Sequence, residues 1–155
     1  MPLSQTKLDQ IITKAESNCI DSGGKLTAKR KSILTVLLSV DMPLSAYEIA
    51  EHYKDTFSET IPVMSVYRML AFLMQENFVH KLSLTNKYIA CSHIACDHAH
   101  QIPQFLMCDE CHNVKEVGIK NDIIEALQNS VESADFYLNS PQIEFHGICK
   151  DCRPH

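Results

Sequence analysis

Apolar residues recur at helical spacing through the first part of the chain. Leu8, Ile11, Ile12, Ala15 and Cys19 predict a helix over residues 5–22, which Gly23-Gly24 ends. Thr27 can cap a second helix whose core face is Ile33, Leu34, Leu37 and Leu38. Pro43 breaks the chain, and Ser45-Ala46-Tyr47-Glu48 reads as a capping box opening a short third helix over 46–55. After Pro62, Val66, Met69, Leu70 and Leu73 line one face of a fourth helix from Ser65. Tyr67, Arg68, Ala71 and Gln75 lie on another face, and Asn77 offers a left-handed stop. Two short runs, 78–84 and 87–91, then meet at Thr85-Asn86 as a β-hairpin. Helices followed by a hairpin is the order of a winged helix-turn-helix, whose last helix before the wing enters the major groove.

The pattern changes in the second part. Strands are predicted at 104–107, 114–118 and 142–148. A helix over 122–134 turns Ile123, Ile124, Leu127 and Val131 inward. Some 60 residues with one helix make a thin core that needs a staple or a partner subunit. The fold class is therefore α+β: a winged-helix domain over 1–90, a hinge over 91–103, and a small α/β domain over 104–155.

Composition sharpens this division. The 155 residues carry a net charge of −5, which taken alone argues against nucleic acid. Residues 1–90, however, hold ten Lys/Arg against nine Asp/Glu, whereas residues 91–155 hold four against ten. Six of the seven cysteines and six of the eight histidines also fall after residue 90. No apolar run approaches the roughly 20 residues of a membrane helix, and residues 1–7 lack a basic-then-apolar leader. A cytoplasmic protein with metal-ligating thiols is the expectation, ahead of disulfides.

Lys25, Lys29, Arg30 and Lys31 precede the two-helix turn, and the exposed side of the fourth helix pairs Tyr67 with Arg68. Arg68 can address a guanine edge or a phosphate, and Tyr67 a thymine methyl or a phosphate. A solvated face with a half-buried ring is the plain alternative. On pattern alone DNA binding stands only slightly ahead of a protein-interaction module.

The metal signature is sharper. Cys108-Asp109-Glu110-Cys111 and Cys149-Lys150-Asp151-Cys152 are two C-x-x-C knuckles with 37 residues between them. Two knuckles close a tetrahedral four-sulfur shell suited to Zn²⁺; redox pairs, an iron–sulfur cluster or buried free thiols are the alternatives. With no open position, such a zinc is structural. Further donors gather at the junction: His80 and Cys91 on the hairpin, then His93, Cys96, Asp97, His98 and His100, and Glu116 after the first knuckle. Each histidine taken singly is more simply a surface or hydrogen-bonded residue, but residues 91–100 hold five N/S donors. A mixed shell there can bind a second Zn²⁺ and lock two domains in one arrangement, which is how a ligand shifts a population.

These stations together resemble the ferric uptake regulator family, and most of all its zinc uptake regulator branch. They run in order as Leu26-Thr27-Ala28-Lys29-Arg30, Pro43 to Ile49, Val66 to Leu73, Phe78-Val79-His80-Lys81, Tyr88 to Cys91, Gln104 to Cys111, and His146 to Cys152. The resemblance implies a homodimeric, zinc-responsive transcriptional repressor. Metal at the hinge closes the dimer onto palindromic operator DNA and represses zinc-uptake genes. It places DNA contacts at Tyr67 and Arg68, with the basic Lys25, Lys29 and Arg30 nearby. Structural zinc falls on Cys108, Cys111, Cys149 and Cys152. Regulatory zinc falls on His80, Cys91, His100 and Glu116, with His98 competing for the place of His100. That makes two Zn²⁺ per chain.

Three departures stand out. Ala28 and Lys29 replace the usual proline and glutamine, the hinge is longer, and Ile123 occupies the place where some relatives carry a glutamate ligand. Within the same family an iron or peroxide sensor is the alternative, and it would tolerate the loss of Cys91. Outside the family, a zinc-stapled protein-interaction module is the alternative. An enzyme is not expected: the H-x-E with P-C-x-x-C of zinc deaminases and the H-E-x-x-H of zinc hydrolases are both absent. Nor is a small-molecule substrate or a membrane partner.

Overall fold

A computed structural model describes residues 3–40, 42–94, 102–139 and 142–154. The chain divides into two compact units, Met1–Cys96 and Asp97–His155. The mixed helix and sheet content agrees with the α+β class expected from the pattern.

The first unit holds α1 (Gln5–Asp21), α2 (Ala28–Leu38), α3 (Ala46–Phe57), α4 (Val63–Gln75) and the hairpin β1 (Val79–Leu82) and β2 (Lys87–Ala90). α1, α2 and α3 each start where a side chain satisfies an open N–H group, whereas α4 starts at a proline with no side-chain cap bond. Ser4 accepts from Lys7 N and Thr27 from Arg30 N. Ser45 and Glu48 exchange both bonds of the capping box, a device of about 1 kcal/mol. α4 begins at Val63, two residues earlier than the apolar period suggests, because Pro62 supplies fixed φ at its cap. It stops at Asn77, which takes φ 62° and lets Phe78 N reach back to Leu73 O at 2.9 Å.

Ile33 and Leu34 of α2, Ile49 of α3 and Val66, Leu70 and Leu73 of α4 have no exposed surface at all. They form one core with Cys19, Leu26, Leu44, Phe78, Tyr88 and Cys91. Burial pushes the Cys19 thiol upward, so it remains neutral, as a packing residue should. The hairpin is antiparallel with Val79 opposite Ala90 and Leu82 opposite Lys87, joined by a four-residue turn rather than by Thr85-Asn86 alone. Leu44, just before α3, pairs with Tyr88 through two backbone bonds of 2.7 and 3.0 Å. Lys87 Nζ meets Glu48 Oε1 at 3.2 Å beside it. The wing is thereby tied to the start of α3, a link that the sequence pattern shows only as a break at Pro43.

The second unit holds β3 (Pro103–Cys108), β4 (Val114–Gly118), α5 (Asn121–Glu132) and β5 (Ile143–Gly147), in the sheet order β4-β3-β5. β3 pairs antiparallel with β4 and parallel with β5, so the fully buried Phe105 sits on the central strand. The sequence period turned four residues of α5 inward, but only Ile124 is buried. Ile123 and Leu127 are exposed, as are Phe136, Tyr137, Phe145 and Ile148. The second unit, taken as one chain, leaves much of its apolar surface uncovered.

Candidate metal centres and nucleic-acid interface

The two knuckles meet because β3 and β5 run parallel. Cys108 ends β3 opposite Gly147 at the end of β5, so the turns that follow both strands leave the same edge of the sheet. Asp109 N bonds Gly147 O at 2.9 Å, His112 N bonds Cys108 O at 2.9 Å with His112 at φ 61°, and Cys152 N bonds Cys149 O at 3.1 Å. His146 Nδ1 and Asp109 Oδ1, 2.9 Å apart, tie the second knuckle's strand to the first knuckle. The sulfurs of Cys108, Cys111, Cys149 and Cys152 all lie within 4.8 Å of one another. Cys111 and Cys149 stand 3.8 Å apart, about the edge of a tetrahedron built on Zn–S bonds of roughly 2.3 Å. None of these cysteines forms a disulfide.

Their acidities describe a site made for a cation. Backbone N–H groups of Cys111 and then Cys149 pull the Cys108 thiol down to about 6, against the burial that raises it. Cys149 N donates to its sulfur at 3.3 Å. Cys152 is pushed up to about 12, first by the Cys149 sulfur and then by that of Cys111. At Cys111 the Asn113 N–H acts to lower the thiol, but the Cys108 sulfur and burial outweigh it. Four sulfurs this close cannot all carry charge by themselves; a divalent cation lets all four ionise together. The donor set fits structural Zn²⁺.

Of the hinge donors, His98, His100, Cys96 and Asp97 lie outside the described residues. His80 and Cys91 are both in the first unit. The hairpin register sets His80 opposite Ile89, so Cys91, two residues farther on, shares its face of the ribbon. A ring nitrogen of His80 and the Cys91 sulfur lie within 4.8 Å of each other. Cys91 is buried, and the His80 Nε2 atom is shielded from solvent. Cys91 N bonds Phe78 O at 2.8 Å, and His93 N approaches the Cys91 sulfur at 3.4 Å. Glu116 is half-buried on β4 of the second unit, opposite Phe105.

On the first unit, α4 turns Tyr67 and Arg68 outward as the pattern suggested. Met64, 62% exposed, and Tyr47, 66% exposed at the start of α3, also stand out, although the sequence period left them unassigned. The basic cluster is partly engaged within the fold. Arg30 lies 3.7 Å over the Phe72 ring and donates to Lys25 O at 2.8 Å, and Lys31 pairs with Glu16 at 2.6 Å. Lys29 faces Glu59 at 3.8 Å, with both side chains more than half exposed. Such a pair adds little to stability and leaves Lys29 open to a phosphate.

The ferric uptake regulator family profile matches residues 21–146. This chain belongs to the ferric uptake regulator family. Members are metal-responsive transcriptional regulators and not enzymes, and the chain is one of them. Among similar members is the zinc uptake regulation protein of Escherichia coli (strain K12). It is 29% identical over 150 residues, covering 97% of this chain and 85% of that protein. The peroxide-responsive repressor PerR of Staphylococcus saprophyticus is 25% identical over 148 residues, covering 95% and 92%. Among solved structures of the family, a zinc uptake regulator complexed with zinc and DNA gives a TM-score of 0.83 at 28% identity, covering 94% of each chain. Holo XcZur gives 0.77 at 32% identity, covering 91% of this chain and 95% of that one. No helix among the described residues is long and apolar enough to cross a membrane.

Proposed function

We propose that this family member is a zinc-responsive repressor, working in the cytoplasm as a homodimer with two Zn²⁺ per chain. One zinc staples the second unit through Cys108, Cys111, Cys149 and Cys152. The other is sensed by His80, Cys91 and Glu116 with a hinge imidazole, His100 or else His98. Zinc at that set holds the dimer closed for a palindromic operator upstream of zinc-uptake genes. Tyr67 and Arg68 read the major groove, while Lys25, Lys29 and Arg30 hold phosphates, Arg30 also fixing the Lys25 turn. The exposed Ile123, Leu127, Phe145 and Ile148 supply apolar surface for the dimer.

The observation that carries this reading is Cys91 beside His80 on one face of the wing. A thiolate softens the shell towards zinc, whereas iron and manganese sensors favour imidazole and carboxylate. The relatives named for zinc uptake support it. The domain division 1–90, 91–103 and 104–155 belongs to the same proposal.

The test is zinc content per chain and DNA binding, measured before and after mild chelation, in wild type and in His80→Ala and Cys91→Ser. Wild type should fall from two zincs to one with loss of DNA binding and retention of the dimer. Each variant should hold one zinc, stay dimeric and bind DNA no more tightly when zinc is added. A Cys91→Ser protein with a full zinc response would favour an iron or peroxide sensor, the alternative that the PerR similarity raises. DNA binding indifferent to zinc in wild type would leave a zinc-stapled interaction module.

A further inference from the structure

α4 is an unusual helix to present to a polyanion. Across its thirteen residues, Val63–Gln75, Arg68 is the one formally charged side chain. Its solvent face is Met64, Tyr67, Arg68 and Ala71, at i, i+3, i+4 and i+7. One guanidinium is thus framed by apolar and aromatic surface. Arginine reads guanine through O6 and N7, and apolar groups on a reading helix find the C5-methyl of thymine.

Met64 is the apolar member of that face that stands out furthest, more exposed than Tyr67. It sits in the first turn at 62% exposure. The helix start is closed without it, since Ile61, just before the Pro62 cap, and Val66 are both buried and occupy the two places of a hydrophobic staple. Long helical side chains lean towards the N-terminus, so Met64 overhangs the end of α4 that leads into the groove. Its three rotatable bonds let the thioether chain settle on a small apolar target. Along the axis it lies about 6 Å from Arg68, a span of roughly two base-pair steps.

From this we infer that Met64 is a specificity-determining residue, packing against a thymine C5-methyl within about two base pairs of the base held by Arg68. The inference rests on the proposed DNA-binding role and adds a base preference to it. The reading helix then selects a guanine flanked by thymine, with the methyl contact supplying discrimination that the sparse charge of α4 does not.

The test starts from duplexes selected out of a random-sequence pool by the zinc-loaded full chain. The selected duplex is resynthesised with deoxyuridine replacing each thymine in turn, which removes the methyl and leaves base pairing intact. For wild type, one thymine per half-site should weaken binding about threefold to fivefold when replaced, a methyl-sized loss. Met64→Ala should bind the thymine duplex more weakly by a similar factor and lose its sensitivity at that position alone. Met64→Leu, which keeps an apolar tip, should retain the sensitivity. If Met64→Ala keeps the full thymine dependence at every position, or if no thymine near the Arg68 base matters in wild type, the inference is overturned and the repressor reading stands. If zinc-loaded protein enriches no sequence, the repressor reading fails and the inference with it.

Discussion

Replacing Cys149 by serine tests how the second unit is held together. Among its described residues, the buried side chains are Phe105, Met107, Cys108, Ile119 and Ile124. The four large ones contribute about 6–12 kcal/mol at about 1.5–3 kcal/mol each, before any chain entropy is set against them. A structural zinc supplies about 10–16 kcal/mol in comparably small folds, so a zinc held by the four sulfurs would match the whole apolar core. A hydroxyl does not stand in for a thiolate. Losing one ligand of four forfeits on the order of 3–4 kcal/mol, while the backbone N–H of residue 149 stays in place against the Cys108 sulfur. Over the 59 residues of Asp97–His155, at an unfolding entropy near 2.1 cal/mol/K per residue, that lowers the melting temperature of this unit by about 25–30 °C. Differential scanning calorimetry should show that shift, and far-UV circular dichroism should show the helices of Met1–Cys96 melting where they did before. Zinc content should drop at the same time. A second-unit transition unmoved in Cys149→Ser, with zinc retained, would refute the staple.

Two further outcomes follow from the first unit. Arg30→Ala removes the guanidinium 3.7 Å above Phe72 and its 2.8 Å bond to Lys25 O. Urea unfolding followed by helix signal should show a loss of about 1–3 kcal/mol with zinc content unchanged, and no loss would mean that the stack is incidental. Glu48 is held below the ordinary carboxylate range: burial pushes it up, but the Ser45 N–H and the Lys87 ammonium outweigh burial. A depressed carboxyl stabilises the fold above its unfolded value, near 4.3, and that stability is lost as pH falls through the lower folded value. Glu48→Gln keeps the capping-box geometry and loses the charge, so its stability should change less than wild type's between pH 5 and pH 3, roughly the window of that titration. An unchanged acid limb in thermal melts would count against the Lys87 pairing.

Much of the first unit was legible because its elements are set by near neighbours. The Ser45–Glu48 box, the Asn77 stop and the Val66, Leu70, Leu73 stripe each involve residues within a turn or two, and helical period reports them directly. The two C-x-x-C knuckles were legible for a chemical reason. Two thiolate pairs at C-x-x-C spacing have few other uses in a small chain, although nothing local says which strands bring them together. α5 shows the limit of periodicity: the stripe containing Ile123 and Leu127 is real, yet both are exposed in the single chain, since a period names an apolar face and not what covers it.

What the sequence by itself determined, then, was the order of helices and hairpin and the fold class, and it marked out the sulfur and imidazole side chains able to serve as donors. Those features depend on spacing along the chain and on side-chain chemistry. Tertiary structure decided the rest. It paired β3 with β5 in parallel, so that Cys108 and Cys149 share an edge, and bonded Leu44 to Tyr88, so that the wing holds the start of α3. It laid Arg30 over Phe72 and left Met64 exposed beside Arg68. Each of these joins residues on different elements or settles which face of an element is covered. Such contacts depend on how whole faces pack, and a linear pattern of polar and apolar positions carries no record of the partner.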